Sequence, residues 1–373
     1  MTFPPDGFYL EEISRERNGE MLRILEESPI ETRGLTIGFD RAPDIFALPE
    51  LFSKRVACVG FLKEGELFGF AMLSYQKKYV DGAPRLVMYY GNAHVKIEGR
   101  GHGFIYRVSD RLFRGRDERS DIGYAIVIPG NTAAARFIGQ RKPGYPDFPA
   151  SRVIGALCAR NILILGRKKE RGEFRIRRAT LDDVEAIVSL LQAEFRPRLF
   201  GPVIDRDTFL ENAARRPGCG LSDHYVAEKH GEIVGTCAAW DMERLRQTRI
   251  IRYGPKLKLG KEAHRLFARL AGFPPMPGEG DRIKDVTITD CAVRDRKPEI
   301  LEALLRRIYN ELHARKYNMM TVGSCRQDPL LRAARRFIGY QVVSNLVLFA
   351  KDPSFLAEGR IDASLPYVDF AMV

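Results

Sequence analysis

The stretch Val95-Lys96-Ile97-Glu98-Gly99-Arg100-Gly101-His102-Gly103-Phe104 holds the residue types best suited to chemistry in this chain. Gly101 and Gly103 carry no Cβ, so backbone N–H groups there can approach a ligand closely. The apolar spacing of Ile105, Val108 and Leu112 predicts a helix opening directly after them. The unpaired N–H groups and dipole of such a helix start favour an anion. Arg100 and Arg107 add positive charge. A pyrophosphate suits this turn; the alternative is a Gly-rich strand-to-helix turn with no ligand. Metal chemistry is not expected. The six cysteines, at 58, 158, 219, 237, 291 and 325, form no CxxC, and the six histidines are dispersed. They read as reduced, buried thiols of a cytoplasmic protein.

The elements that must position this turn are a strand over 85–97 and a helix over 103–113. Around them the first half shows strands at 56–62, 67–75, 122–127 and 152–165 and a helix at 131–139. The second half begins with a strand at Phe174–Arg178 and a helix capped by Thr180, with Asp183 at the capping-box position. A hairpin at 225–240, a strand at 284–293, a helix near 298–315, a strand at 319–323, a helix at 328–338 and a strand at 342–350 follow.

The halves also echo one another in sequence. Lys63-Glu64-Gly65-Glu66-Leu67-Phe68-Gly69 recurs as Lys229-His230-Gly231-Glu232-Ile233-Val234-Gly235. Ala134 and Arg136-Phe137-Ile138-Gly139 recur as Ala334 and Arg336-Phe337-Ile338-Gly339. The copies lie further apart in the second pair, which places an insertion at 241–283. The order predicts a mixed α/β protein of two similar domains, 1–168 and 169–373, joined through the polar run Arg167, Lys168, Lys169, Arg171.

Composition bounds the function. The chain has 373 residues, with 60 Lys+Arg against 48 Asp+Glu, a net +12. The excess is shared evenly by the two halves, which weakens a nucleic-acid reading and leaves a preference for anionic partners. The most apolar stretch, Val153 to Gly166, is broken by Arg160 and Asn161 and is too short to span a bilayer. The N-terminus lacks an apolar signal core, so no membrane or export role is expected.

The turn resembles the cofactor signature of the GCN5-related N-acetyltransferase superfamily: Gln or Arg, two residues, Gly, one residue, then Gly or Ala. Here Arg100 and Gly103 match, while Ile105 stands at the last position, and Val95 matches the strand-end Val that precedes the signature. The resemblance covers roughly 20–165 and 174–350. It implies two tandem acyltransferase domains of α/β fold and acetyl-CoA or another acyl-CoA as co-substrate. By the same resemblance the backbone of Val95 and Ile97 pairs with pantetheine. The N–H groups of Gly101, His102, Gly103 and Phe104 hold the pyrophosphate beside Arg100, and an amide near Val95 stabilises the oxyanion. The matching turn of the second half, Val293-Arg294-Asp295-Arg296-Lys297-Pro298, has no glycine and carries an acidic residue, so its cofactor site is expected to have decayed.

Attack by an amine needs a base for the amine and a proton for the departing thiolate. The family's usual acid is a Tyr four residues before a Gly-Phe pair; Ala135 and Arg335 stand there, with Tyr145 and Tyr340 nearby. The strand before the turn offers Tyr89 and His94 as catalytic candidates. Strict alternation puts Tyr89 on the Val95 face and His94 on the other. The basic segment from Trp240 to Lys261 is a candidate surface for an anionic acceptor. The expected activity is transfer of an acyl group, most simply acetyl, from CoA to a small-molecule or peptide amine, by a monomer or homodimer. The competing readings are aminoacyl transfer from charged tRNA and an acyl-CoA-binding sensor without turnover.

Overall fold

The computed structural model describes residues 6–32, 34–114, 120–135, 138–139, 143–170, 172–255, 258 and 273–372. Met1–Pro5, the Arg136-Phe137 part of the second repeated motif and most of the basic segment after Pro255 lie outside the described residues.

In the first half the strands are β1 (Phe8–Glu12), β2 (Ile30–Thr32), β3 (Leu35–Asp40), β4 (Val56–Lys63), β5 (Glu66–Val80), β6 (Ala83–Val95), β7 (Ile122–Val127) and β8 (Ala150–Leu163). The helices are α1 (Asn18–Glu26), α2 (Ala47–Phe52), α3 (Phe104–Phe113) and α4 (Thr132–Ala135). The second half carries β9 (Arg175–Arg178), α5 (Val184–Phe195), α6 (Arg206–Arg215), β10 (His224–Lys229), β11 (Glu232–Trp240), β12 (Gln247–Tyr253) and β13 (Arg282–Ile283). It continues with β14 (Asp285–Val293), α7 (Pro298–Ala314), β15 (Met319–Cys325), α8 (Leu331–Ala334) and β16 (Gly339–Ala350).

Twelve strands form one sheet in the order β1-β4-β5-β6-β7-β16-β8-β15-β14-β11-β10-β9. The order reads alike from both ends: each half contributes an edge strand, a hairpin, a long central strand and a parallel neighbour. At the centre the last strand of each half crosses over. β16 pairs with β7 of the first half, and β8 pairs with β15 of the second. Four further strands form a second sheet, β13-β12-β3-β2, which joins β12 of the second half to β3 of the first.

Local chemistry explains the repeated parts. Both hairpins turn through a polar residue and a Gly at positive φ: Glu64 and Gly65 at 52° and 83°, His230 and Gly231 at 53° and 82°. That backbone matches the twist of the flanking strands. Thr180 N–H donates to Asp183 Oδ2 at 2.7 Å, closing the expected capping box. Gly69 and Gly235 lie where a Cβ would come within 2.9 Å of Phe104 and 2.5 Å of Ile300, so each lets a helix settle on its hairpin. Among the described residues no helix is long and apolar enough to cross a membrane. Five of the cysteines are buried and none is in a disulfide.

Two helices are shorter than their sequence pattern predicts. The one expected over 328–338 keeps only α8, because the chain past Ala334 is drawn into the sheet, where Ile338 C=O accepts from Leu163 N–H. The one expected over 131–139 is described as helix only at α4. The strand expected over 85–97 ends at Val95, and Ile97–Gly99 form a single 3-10 turn.

Candidate functional site

β6 and β7 run parallel but pair only at Met88–Gly123, Tyr89–Tyr124 and Tyr90–Ala125. Beyond Tyr90 the strands part, and no described strand covers that edge of Gly91–Val95. Lys96 N–H donates to Phe68 C=O on the β5 side. Alternation therefore turns the N–H and C=O of Val95 toward the gap. A wedge lined by an unsatisfied strand edge can take an extended, amide-bearing chain as a pseudo-strand.

The turn closing the wedge is built on two left-handed glycines, Gly101 at φ 89° and Gly103 at φ 73°, the latter capping α3. A Cβ at Gly101 would meet nothing within 4 Å, so its backbone faces open space. Among the described residues no group accepts from the N–H of Gly101, His102, Gly103 or Phe104. Arg100 is exposed and makes no ion pair with a described residue. Tyr145 brings its hydroxyl within 3.3 Å of where a Gly103 Cβ would stand, so it lies at the turn rather than deep in the wedge. Ile97 differs from the expectation of a strand-paired residue. Its carbonyl accepts from Arg100 N–H, and its side chain is 73% exposed.

Arg107 does not add free charge to the turn. Its guanidinium turns back to Asp6 at 3.2 Å and to Phe8 C=O, over the Phe61 ring. Asp6 also lies 3.2 Å from His102 Nδ1. Sequence spacing gave no sign of this contact between the chain start and the turn.

Tyr89 and His94 share a face of β6, contrary to strict alternation. A bulge opposite Phe70–Met72, with Asn92 at φ 50°, shifts the alternation by one residue. Val95 now packs with Tyr90 in the core beneath α3. Tyr89 lies against Tyr124 and His94 against Phe70, and Arg41 is an electrostatic neighbour of both. Burial raises the Tyr89 hydroxyl pKa, partly offset by Arg41 and Arg246. Burial, reinforced by Arg41, lowers His94 to about 4, so the ring is neutral at neutral pH. Arg41, Tyr89, Gly91, Asn92 and Met372 line a common pocket. The sequence did not single out Arg41, because no local spacing links it to this strand.

The second half repeats the wedge and bridges it. β14 and β15 pair from Asp285–Met319 to Ile288–Val322 and then part. Past β14, Asp295 and Arg296 take φ of 54° and 50°. Arg296 reaches Asp328, just beyond β15, at 2.6 Å and also bonds Glu194. Arg198, 5% exposed, holds the same two carboxylates at 3.2 and 2.8 Å. Among the described residues no ion pair crosses the first wedge.

No family model matches the chain, and no curated protein is similar enough in sequence to match. Solved structures do match in shape. A GCN5-related N-acetyltransferase from Sphaerobacter thermophilus is 12% identical, with 99% of each chain covered and a TM-score of 0.54. Saccharomyces cerevisiae N-myristoyltransferase with bound myristoyl-CoA is 10% identical over 93% of this chain and 80% of that one, with a TM-score of 0.57. A GCN5-related N-acetyltransferase from Anabaena variabilis is 11% identical over 92% and 73%, at 0.50. The chain has the fold of the GCN5-related N-acetyltransferases, in a two-domain arrangement. At these identities the likeness is one of fold.

Proposed function

We propose that this protein is an acyl-CoA-dependent N-acyltransferase working through its first half. The observation that carries the reading is the parting of β6 from β7 after Tyr90, opening onto a turn whose N–H groups have no described partner. In this reading pantetheine lies along Gly91–Val95. The pyrophosphate sits on Gly101, His102, Gly103 and Phe104, with Arg100 and the Tyr145 hydroxyl beside it. The solved neighbours named for acetyl transfer and for myristoyl-CoA support an acyl-CoA donor without choosing the acyl length.

The amine nitrogen attacks the thioester carbonyl, forming the C–N bond as the C–S bond breaks. Val95 N–H faces the developing oxyanion. Tyr89, held protonated by burial, gives its proton to the leaving thiolate and takes one back from the nitrogen of the newly formed amide, so that amine and thioester become amide and thiol. His94, neutral but weakly basic, orients the amine through its ring nitrogen.

The test is calorimetric titration with acetyl-CoA beside Gly103→Asp. One site per chain is expected, weakened at least ~100-fold in the variant, because a carboxylate replaces open backbone where phosphate would lie. Normal binding by the variant would remove the turn from the cofactor site. A second reading, an acyl-CoA sensor without turnover, draws on Ala135 standing where the family's acid would be; CoA binding with no transfer to any amine would favour it.

A further inference from the structure

Both central strands carry the same bulge, and an arginine lies against each. In the second half Asp290, at φ 49°, accepts from Arg216 Nη1 at 2.7 Å. In the first half Asn92, at φ 50°, accepts from Arg41 Nη1 at 2.6 Å. Each arginine comes from the same stretch of its half, between the first helix and the hairpin. The geometry matches; the charge does not.

Arg216 is neutralised by Asp290, which also lies 3.3 Å from His224, and Arg216 stacks over Trp240. Arg41, 7% exposed, donates instead to the neutral amide oxygen of Asn92. Among the described residues no carboxylate lies within ion-pair distance of it, and its Nε has no hydrogen-bond partner. The Nε of Arg216 is also unpartnered, so the difference between the halves is the missing negative charge. Instead of a carboxylate, Arg41 has a second cation, Arg246 from the insertion, as an electrostatic neighbour. A buried cation without a counter-ion is costly, and an incoming anion relieves that cost. Arg41 lines, with Tyr89 and Asn92, a narrow pocket of about 10 Å³, room for one water-sized atom such as a single carboxylate or phosphate oxygen. Asn92 lies three residues before Val95, about 10 Å along the strand.

We infer that this pocket binds an acidic group of the acyl acceptor: the substrate is an amine that also carries a carboxylate or a phosphate, held by Arg41 with its nitrogen directed toward Val95. The inference rests on the acyltransferase reading and narrows it to a substrate class.

The test sets wild type beside Asn92→Asp, which gives the first half the internal carboxylate of the second. Asp tolerates positive φ as Asn does, so the fold is kept. With acetyl-CoA as donor, amino acids are compared with their amides and phosphoethanolamine with ethanolamine; the two sets separate carboxylate from phosphate recognition. The acidic member of at least one set is expected to be favoured about 10- to 100-fold in kcat/KM. In Asn92→Asp that ratio falls toward one, Tm rises, and acetyl-CoA affinity measured by calorimetry holds. Equal rates for matched acceptors in wild type, or an unchanged ratio in the variant, overturn the inference. So does a parallel loss of acetyl-CoA affinity, which would give the anion to the cofactor. Failure of wild type to bind acetyl-CoA sinks the acyltransferase reading instead. The pocket is then judged by thermal shift with the same acids, where a shift lost in Asn92→Asp supports the site and no shift in wild type overturns it.

Discussion

His94 is held neutral by its surroundings, and that leaves a mark on stability. Burial first, and Arg41 second, lower its pKa from 6.5 to about 4 in the native protein, while the unfolded chain keeps the ordinary value. Between these limits the unfolded state binds a proton that the native state refuses. Stability from this group is therefore full above about pH 6.5 and declines as pH falls toward 4. In His94→Gln the denaturation midpoint should fall less steeply across that window; an identical slope would mean that His94 is not the group refusing the proton. Tyr89 is shifted the other way, and only its protonated form is present at neutral pH. One apolar setting thus keeps a donor protonated and a ring nitrogen free to accept a hydrogen bond.

At the scale of elements, the two wedges use one strand geometry for different ends. The first opens on a glycine turn; the second is tied across by Arg296, which links the turn after β14 to Asp328 after β15. The bridge belongs to a buried cluster of two arginines and two carboxylates. Removing one arginine leaves the carboxylates to Arg198 alone. Arg296→Ala should cost about 1–3 kcal/mol in denaturant titration while acetyl-CoA stoichiometry stays at one. A second binding site appearing in that variant would show that the bridge, rather than the absence of glycine, had closed the second half. The bulges act at the same scale. By shifting alternation at Asn92 and Asp290, each turns the valine at its strand end, Val95 or Val293, into the core beneath the helix that follows.

Crossed-over final strands make the molecule one mechanical unit. β16 of the second half is the partner that covers β7, and β8 of the first half covers β15. The C-terminal tail adds to this: Phe370 packs where any side chain at Gly323 would stand, and Asp369 accepts from Thr289 Oγ1 at 3.1 Å. Residues 1–168 alone would expose the β7 edge, a ready template for aggregation. That fragment should fail to give a soluble folded protein, and the full chain should melt in one calorimetric transition that Arg296→Ala and Gly103→Asp both displace as a whole. Two separable transitions would refute the interlocked sheet.

The sequence alone determined the types of the elements it singled out and the glycine turn, because these are set within a few residues: alternation, capping at Thr180, and turns that need positive φ at Gly65, Gly101 and Gly231. The tertiary structure alone decided which strands meet and which faces count. Nothing near residue 345 encodes that β16 leaves its own half to pair with β7. Nothing near Tyr89 encodes that a bulge three residues later turns it and His94 to one side. Arg41 and Asn92, like Asp6 and Arg107, meet only after the chain has folded between them. Local sequence sets backbone conformation; the charge balance of a buried pocket is summed over distant segments, and only the fold brings those together.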